Sequence, residues 1–406
     1  MSIKKEHLKT LISSILLYCL LLFSSGFYFG SSNGTRSITI GLCCTLILIM
    51  MYKPWYDNGF NNVLWLVIAL CFIIGIEGLV LDESIKQILI VLSAIIMAAG
   101  LIYALEYEKF KGLYVNLMIA IAIGSLFFWG LSYIAPEFIH LFPQLTNVAG
   151  STNYFCFLSS VNFQNMRNYG IFWEPGAFQA FLSFALLFEI FSIKKPRIWV
   201  IGVFAIAMVT TYSSIAVLSL LLALCIWIFH SKASIGWKIL ELVALLLTSV
   251  FAINFLAENL PGFQHAFVDK IKDFFNPNST NGSVTVRQDS IFELLKLFFN
   301  SPFIGVGFNG IAMKAAELGY DVAATTVIYW FGRYGIFVGA ILTIGLYKFT
   351  KFFTKNHWLR IFIFGTIICF TMTEHLAFNI SFLIFPFYGY KYSFNNNSLN
   401  IKKLIG

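Results

Sequence analysis

The chain has 406 residues, of which 59% are hydrophobic and 11% are charged, and its formal net charge is +8. Its mean hydropathy is +0.80. Soluble domains carry about 25% charged residues, so this composition excludes a soluble protein and indicates a polytopic membrane protein. The excess of Lys and Arg fits the short cytoplasmic loops of such a protein, and we expect no nucleic acid as a partner.

Apolar runs along the chain predict the spanning helices, because a span needs about 20 mostly apolar residues. We predict spans near residues 10–30, 37–52, 62–80, 86–105, 112–135, 175–193, 197–212, 214–230, 238–257 and 323–348. The stretch 359–390 is too long for one helix, so we predict two helices with Glu374 and His375 at the turn between them. The predicted fold class is an all-α polytopic membrane protein with about twelve transmembrane helices.

The positions of the basic residues predict that both termini lie in the cytoplasm, since most Lys and Arg then fall in inner loops. Residues 1–406 form a single integral membrane domain in this interpretation. Two longer segments, 136–174 and 258–322, lie on the outer, periplasmic side. The second segment contains the stretch 286–299, whose apolar residues recur at helical spacing, so we predict an amphipathic helix along the membrane surface.

The decapeptide 167–176 concentrates groups that hydrocarbon excludes, and it reads RNYGIFWEPG. Pro175 suits the first position of a helix, so a helix is predicted to begin there with Glu174 as its cap. The free N–H groups of that helix end, together with Arg167, predict a site for an anionic group at the membrane surface. The alternative is that Arg167 and Glu174 merely pair with each other at the interface.

Two further groups of candidate residues face the same side. Arg287 lies near the start of the predicted surface helix, and arginine binds phosphate oxygens bidentately, so Arg167 and Arg287 together suit a diphosphate. His375 is a candidate general base because an unperturbed imidazole titrates near neutral pH, and Glu374 either orients it or serves in its place. The alternatives are that Arg287 neutralises lipid headgroups and that His375 is a buried turn residue.

Weaker candidates for substrate binding are Arg333, Gly305 and Gly307. Arg333 falls within a predicted span, where it either lines the cavity from below or bridges helices. The glycines belong to the turn SPFIGVGFNG at 301–310, and short Gly-rich turns let backbone approach a ligand closely. The first outer loop, 31–36, has no acidic residue, and no D-x-D motif or His/Asp cluster occurs. We therefore expect no metal and no other cofactor, with arginine supplying the countercharge.

The motif at 167–176 resembles the O-antigen ligase and polymerase superfamily, the Wzy-type and WaaL-type membrane glycosyltransferases. Members commonly carry an arginine, a glycine and then E-P-G at the mouth of a central helix. Arg287 followed by SPFIGVGF at 301–308 is similar to the family's arginine, short helix and P-x-x-G-x-G motif. The resemblance implies a GT-C-type helical fold in which Arg167 and Arg287 hold the diphosphate of the donor. The residues Glu174, Glu374 and His375 are then the candidate catalytic residues.

The resemblance further implies metal-independent transfer of a glycan from undecaprenyl diphosphate at the periplasmic face of a bacterial inner membrane. We favour a polymerase of O-antigen or capsular polysaccharide, in which lipid-linked repeat units are both donor and acceptor. Membrane lipid and a chain-length regulator are its further candidate partners.

Other functions stay open. One is an O-antigen ligase, which uses lipid A–core as acceptor, although Ala323-Ala324-Thr325-Thr326 stands where ligases carry a His-Asn pair. Another is a protein O-oligosaccharyltransferase. A lipid-linked oligosaccharide flippase belongs to a different class, and its charges would be expected at the membrane midplane.

Overall fold

The structure is a computed structural model that describes residues 2–24, 34–52, 58–146, 151–192, 195–259, 263–274, 282–320, 322, 325–372 and 374–394. Most of these residues are helical. The α-helices, numbered in chain order, are α1 Ser2–Ser24, α2 Gly34–Tyr52, α3 Asn58–Val80, α4 Ile85–Ala104, α5 Tyr107–Ile134, α6 Pro136–Ile139, α7 Pro175–Ile190, α8 Ile198–Thr210, α9 Ser214–His230, α10 Ile235–Asn259, α11 Lys270–Phe274, α12 Gly282–Asn300, α13 Gly307–Leu318, α14 Thr326–Phe349, α15 His357–Thr371 and α16 Ile380–Phe394. A π-helix, Gln264–Asp269, precedes α11, and a 3-10 turn, Thr350–Phe352, follows α14.

Six helices in the described part of the chain are long and apolar enough to cross a membrane, namely α1, α3, α4, α5, α10 and α14. The helices α2, α7, α8, α9 and α15 are apolar but shorter. The protein is therefore an all-α membrane protein, as the composition predicts. Its last apolar stretch is divided, because α15 ends at Thr371 and α16 begins at Ile380, on either side of Glu374 and His375.

The helix α7 is buried along its whole length, from Pro175 to Ile190. It contacts α5, α8, α9 and α15, and Phe184 stacks on Phe385 of α16 with ring centroids 4.0 Å apart. An apolar helix can be covered by lipid or by other helices, and α7 is covered by its neighbours along its whole length. Its one acidic residue, Glu189 near the C-terminus, forms a 2.7 Å ion pair with Arg197. The N-terminus of α7 thus lies at one end of a rigid central element.

The segment 136–174, which we predict to lie on the outer side, contains a small antiparallel sheet that the sequence did not predict. Its strands, in spatial order, are β1 Gln144–Thr146, β2 Thr152–Phe155 and β3 Ser160–Val161. After β3, the side-chain amide of Asn168 donates to the hydroxyls of Ser125, at 3.1 Å, and Thr210, at 3.0 Å. These bonds fix the stretch before α7 to α5 and α8.

The amphipathic helix predicted within the segment 258–322 is α12, which packs against α14 along one face. Leu294 on that face is fully buried, whereas Phe292 is 62% exposed and Phe299 is 72% exposed. Gly332 of α14 lies so close that a Cβ there would be 3.2 Å from the Leu294 carbonyl oxygen. One side of α12 therefore packs against the protein, and its other side exposes large apolar side chains.

Candidate functional site

Arg167 is held by the turn between α8 and α9. Its Nε donates to the carbonyl of Thr211 at 2.8 Å, and its Nη2 donates to the carbonyl of Tyr212 at 3.3 Å. These bonds use only part of the guanidinium, and its remaining N–H groups can donate to a ligand. Among the described residues, neither Arg167 nor Glu174 makes an ion pair. The interpretation of these two residues as a simple interfacial pair is therefore wrong.

The helix α7 begins at Pro175, where the sequence predicts it, with Glu174 in the N-cap position. Glu174 is extended, with φ −143° and ψ 153°, and its side chain makes no capping hydrogen bond. Its carboxylate is therefore not used to satisfy the first turn of the helix. Gly176 lies against Glu374, since a Cβ atom at Gly176 would collide with the Oε1 atom of that carboxyl. Glycine at this position lets the Glu374 carboxyl reach the N-terminus of α7.

The backbone of Glu374 is held by hydrogen bonds, whereas one oxygen of its carboxyl has none among the described residues. Its carbonyl accepts from the hydroxyl of Thr326 at 2.6 Å, and that hydroxyl accepts from the N–H of Leu376 at 3.0 Å. The residue is 3% exposed, and its Oε1 has no hydrogen-bond partner in the described part of the chain. Burial, assisted by the nearby Glu174, raises the pKa of Glu374 well above its usual range, although Arg287 and Arg167 act in the opposite direction. This environment favours the protonated carboxyl.

Three cations from separate segments lie close enough for their charges to interact. Burial, followed by repulsion from Arg167 and Arg287, lowers the pKa of Lys270 to about 8, and Glu174 opposes that shift. Burial also lowers the pKa of Arg167, and Arg287 adds to this effect. Within the described ranges, the side chains of Lys270 and Arg287 make no hydrogen bond or ion pair. We call Arg167, Glu174, Lys270, Arg287 and Glu374 the charged cluster.

The structure thus brings together four of the residues singled out in the sequence and adds Lys270. Lys270 lies in the stretch QHAFVDKIKDF, 264–274, two residues before a second lysine, Lys272. In sequence, such lysines are typical of contacts with lipid headgroups, and no motif marks Lys270. Arg287, by contrast, is half-buried on α12 and acts electrostatically on Arg167 and Glu374.

His375 is exposed, so the alternative of a buried turn residue is wrong. Its imidazole meets the ring of Tyr329 edge-on, with centroids 4.4 Å apart. His375 follows Glu374 directly in the chain, which places it beside the charged cluster. Its role as a general base stays a prediction.

Arg333 is buried and joins α14 to the turn between α3 and α4. Its Nη2 lies 3.6 Å from Oε2 of Glu83 in the turn between α3 and α4, and its Nη1 donates to the hydroxyl of Tyr329 at 2.8 Å. The guanidinium also lies over the rings of Tyr334, at 4.7 Å, and Phe308, at 5.2 Å. Of the two interpretations of Arg333, helix bridging is the one that these contacts support.

Gly305 and Gly307 approach protein atoms closely, which gives them a packing role that the sequence did not predict. Both have left-handed backbone, with φ of +66° and +67°. A Cβ at Gly305 would collide with the carbonyl of Arg333, and one at Gly307 would lie 2.6 Å from Oε1 of Glu83. The turn packs against Gly335 of α14. At Gly335 the helical backbone is interrupted, with φ 69° and ψ −168°. Binding of substrate by these two glycines stays a prediction.

This packing predicts a large difference between two left-handed glycines. Gly335→Ala introduces left-handed strain and a collision with the carbonyl of Phe303, whereas Gly319→Ala introduces strain alone because nothing lies within 4 Å. We expect Gly319→Ala to lower the free energy of unfolding by about 1–2 kcal/mol. Gly335→Ala should lower it by more than about 4 kcal/mol. Thermal unfolding of the purified protein in detergent compares them, and equal losses would contradict the packing described for the turn.

Comparisons of the chain with family models, curated proteins and solved structures give no match. The fold and the site therefore define the class of protein directly. It is a largely helical membrane protein in which three cations and two carboxyls interact through their charges beside the N-terminus of a buried helix. Among the residues that the structure describes, no group of three or more His, Cys, Asp and Glu side chains is arranged to hold a metal ion.

Proposed function

We propose that the protein is a membrane glycosyltransferase that polymerises undecaprenyl-diphosphate-linked repeat units into O-antigen or capsular polysaccharide. The single observation that carries this proposal is that the charges of Arg167, Lys270 and Arg287 act on one another and on Glu174, the residue before α7. Cations at a helix N-terminus, none of them ion-paired within the described residues, form a site suited to a diphosphate. In this proposal about twelve helices span a bacterial inner membrane in a GT-C-type arrangement, and the charged cluster faces the periplasm.

The proposed reaction is a displacement at the anomeric carbon of the donor. The hydroxyl of the acceptor glycan forms the new C–O bond, the bond to the diphosphate breaks, and the bonding electron pair leaves with the diphosphate. Arg167, Arg287 and the N–H groups at the start of α7 stabilise the charge that develops on this leaving group. The hydroxyl proton passes to a base next to the acceptor.

Two carboxyls in different environments suit two different roles. Glu174 is half-exposed and makes no capping hydrogen bond, so it is available to accept the proton of the attacking hydroxyl. Glu374 is buried in surroundings that favour its protonated form, so it can donate a hydrogen bond to an oxygen of the diphosphate. His375, which is exposed beside them, is the second candidate for the base.

The proposal is tested with purified protein in lipid vesicles that contain a lipid-linked repeat unit. We expect wild-type protein to produce a ladder of polymer lengths, with or without EDTA. Glu174→Gln should reduce the rate about 10²- to 10⁴-fold, as expected for loss of the base, while His375→Ala retains activity. Glu374→Ala, which removes the hydrogen bond to the diphosphate, should reduce it about 10²- to 10³-fold.

Other outcomes would identify a different base, a different acceptor or a different class of protein. If only His375→Ala is inactive, the base is His375. If wild-type protein makes no ladder but transfers the glycan to lipid A–core, the protein is a ligase. If the lipid-linked unit merely moves between the leaflets without any new glycosidic bond, the protein is a flippase and the proposal is wrong.

A further inference from the structure

Lys270 lies on an element that contacts both arginine-bearing parts of the site. The π-helix just before it packs on the turn that holds Arg167, because Phe263 and Phe267 form one apolar cluster with Tyr212. The Phe263 and Tyr212 ring centroids are 6.0 Å apart. On its other side, α11 contacts α12, which carries Arg287. This packing fixes the lysine beside the two arginines.

In the protein without a ligand, the surroundings of Lys270 disfavour its charged ammonium form. The charges that act on Lys270 from neighbouring elements are Arg167, Arg287 and Glu174, so repulsion comes from two groups and attraction from one. On its own segment, Asp269 and Asp273 are the nearest acidic residues in sequence, and Asp269 accepts a hydrogen bond from Gln264 at 3.1 Å. Within the described residues, Lys270 itself forms no ion pair. A half-buried cation in such surroundings fits a ligand that supplies the missing negative charge.

The proposed reaction creates that charge. In the donor, each phosphate of the diphosphate is esterified, so the group carries two negative charges. When the bond to the sugar breaks, the electron pair stays on the terminal phosphate oxygen and adds a third. The two arginines match the donor, whereas a third cation matches the charge that develops only in the transition state and the product.

We propose that Lys270 is a third diphosphate-binding residue, selective for the charge on the departing diphosphate. The inference rests on the proposed function. An interaction that strengthens only as the bond breaks raises kcat and leaves the KM for the donor unchanged. Lys270 would therefore discriminate between a free prenyl diphosphate and one that still carries a sugar.

The test compares Lys270→Gln with Lys272→Gln, an exposed lysine on the same short helix. Two soluble probes separate the charge states: farnesyl diphosphate, with a free terminal phosphate, and farnesyl-diphosphoryl-N-acetylglucosamine, with both phosphates esterified. We expect Lys270→Gln to weaken binding of farnesyl diphosphate and to lower kcat, each by about 10- to 100-fold, as for a lost hydrogen bond to a charged group. Binding of the sugar-bearing probe should not change, and Lys272→Gln should behave like wild type.

A pH series gives a second readout. Because the pKa of Lys270 is about 8 in the unliganded protein, its ammonium is present below that pH and is lost above it. Affinity of wild-type protein for farnesyl diphosphate should therefore fall as the pH rises through about 8. Lys270→Arg keeps its charge, so its affinity should stay constant over this range.

Equal weakening of both probes by Lys270→Gln would overturn the selectivity for the departing group, and no weakening of either would overturn the binding role. If wild-type protein binds neither probe, the proposed function itself fails, and this inference fails with it. That result is distinct from the first two, in which wild-type protein binds diphosphate.

Discussion

Replacing Arg287 by alanine is expected to abolish polymer formation while leaving the protein folded. The side chain makes no hydrogen bond or ion pair within the described residues, so its removal leaves no described polar group without a partner. Its charge also opposes the charged forms of Arg167 and Lys270, so the free protein should be no less stable without it. Loss of one preorganised cation from a diphosphate site should reduce turnover about 10²- to 10³-fold.

Arg167→Ala should reduce activity similarly but should also destabilise the protein. The guanidinium of Arg167 is the donor to the carbonyls of Thr211 and Tyr212, and leaving such groups unpaired costs about 1–3 kcal/mol. The two variants therefore differ in unfolding temperature and agree in activity. A matched control is Lys296→Ala, which removes a cation from the exposed side of α12, where it pairs with Glu293.

The measurement for both arginines is the polymer ladder of a deletion strain that expresses each variant, with the protein level checked in the membrane. Single capped repeat units are expected in place of the ladder. Arg287→Lys should restore little polymer because an ammonium cannot bind phosphate bidentately. A ladder of normal length in either alanine variant would remove the arginines from the diphosphate site.

Gly176→Ala is expected to cause the second large loss of activity. The added Cβ would collide with Oε1 of Glu374, so the buried carboxyl must leave the N-terminus of α7. Because the colliding atom is the end of a side chain, the fold should survive while the carboxyl is displaced. The rate should fall about 10²-fold or more, as it would if a hydrogen-bond donor to the leaving diphosphate were lost.

A double-mutant cycle distinguishes displacement of Glu374 from general damage to α7. Glu374→Ala removes the colliding carboxyl, so adding Gly176→Ala to that variant should cause almost no further loss. Gly202→Ala serves as the control, since nothing lies within 4 Å of its Cβ position in α8. Independent, multiplying losses in the double variant would show that Gly176 acts without Glu374.

The sequence alone was sufficient for the membrane class, the start of α7 and the division of the last apolar stretch. These features depend on local properties. Hydrocarbon requires long apolar runs, Pro175 directly before an apolar run suits the first turn of a helix, and Glu374-His375 interrupts an apolar run. The decapeptide before α7 was likewise recognisable, because charges and glycines at a membrane boundary stand out from their surroundings.

Tertiary structure alone decided which polar groups share one site and which serve packing. Lys270 has no motif, and its importance arises from two arginines that are distant in sequence. The sequence predicts substrate binding for Gly305 and Gly307, and the structure adds their close approach to Arg333 and Glu83. The short sheet at 144–161 was not foreseen. Burial, charge interaction and steric contact depend on which segments meet in space, and a residue's neighbours in the chain do not specify that.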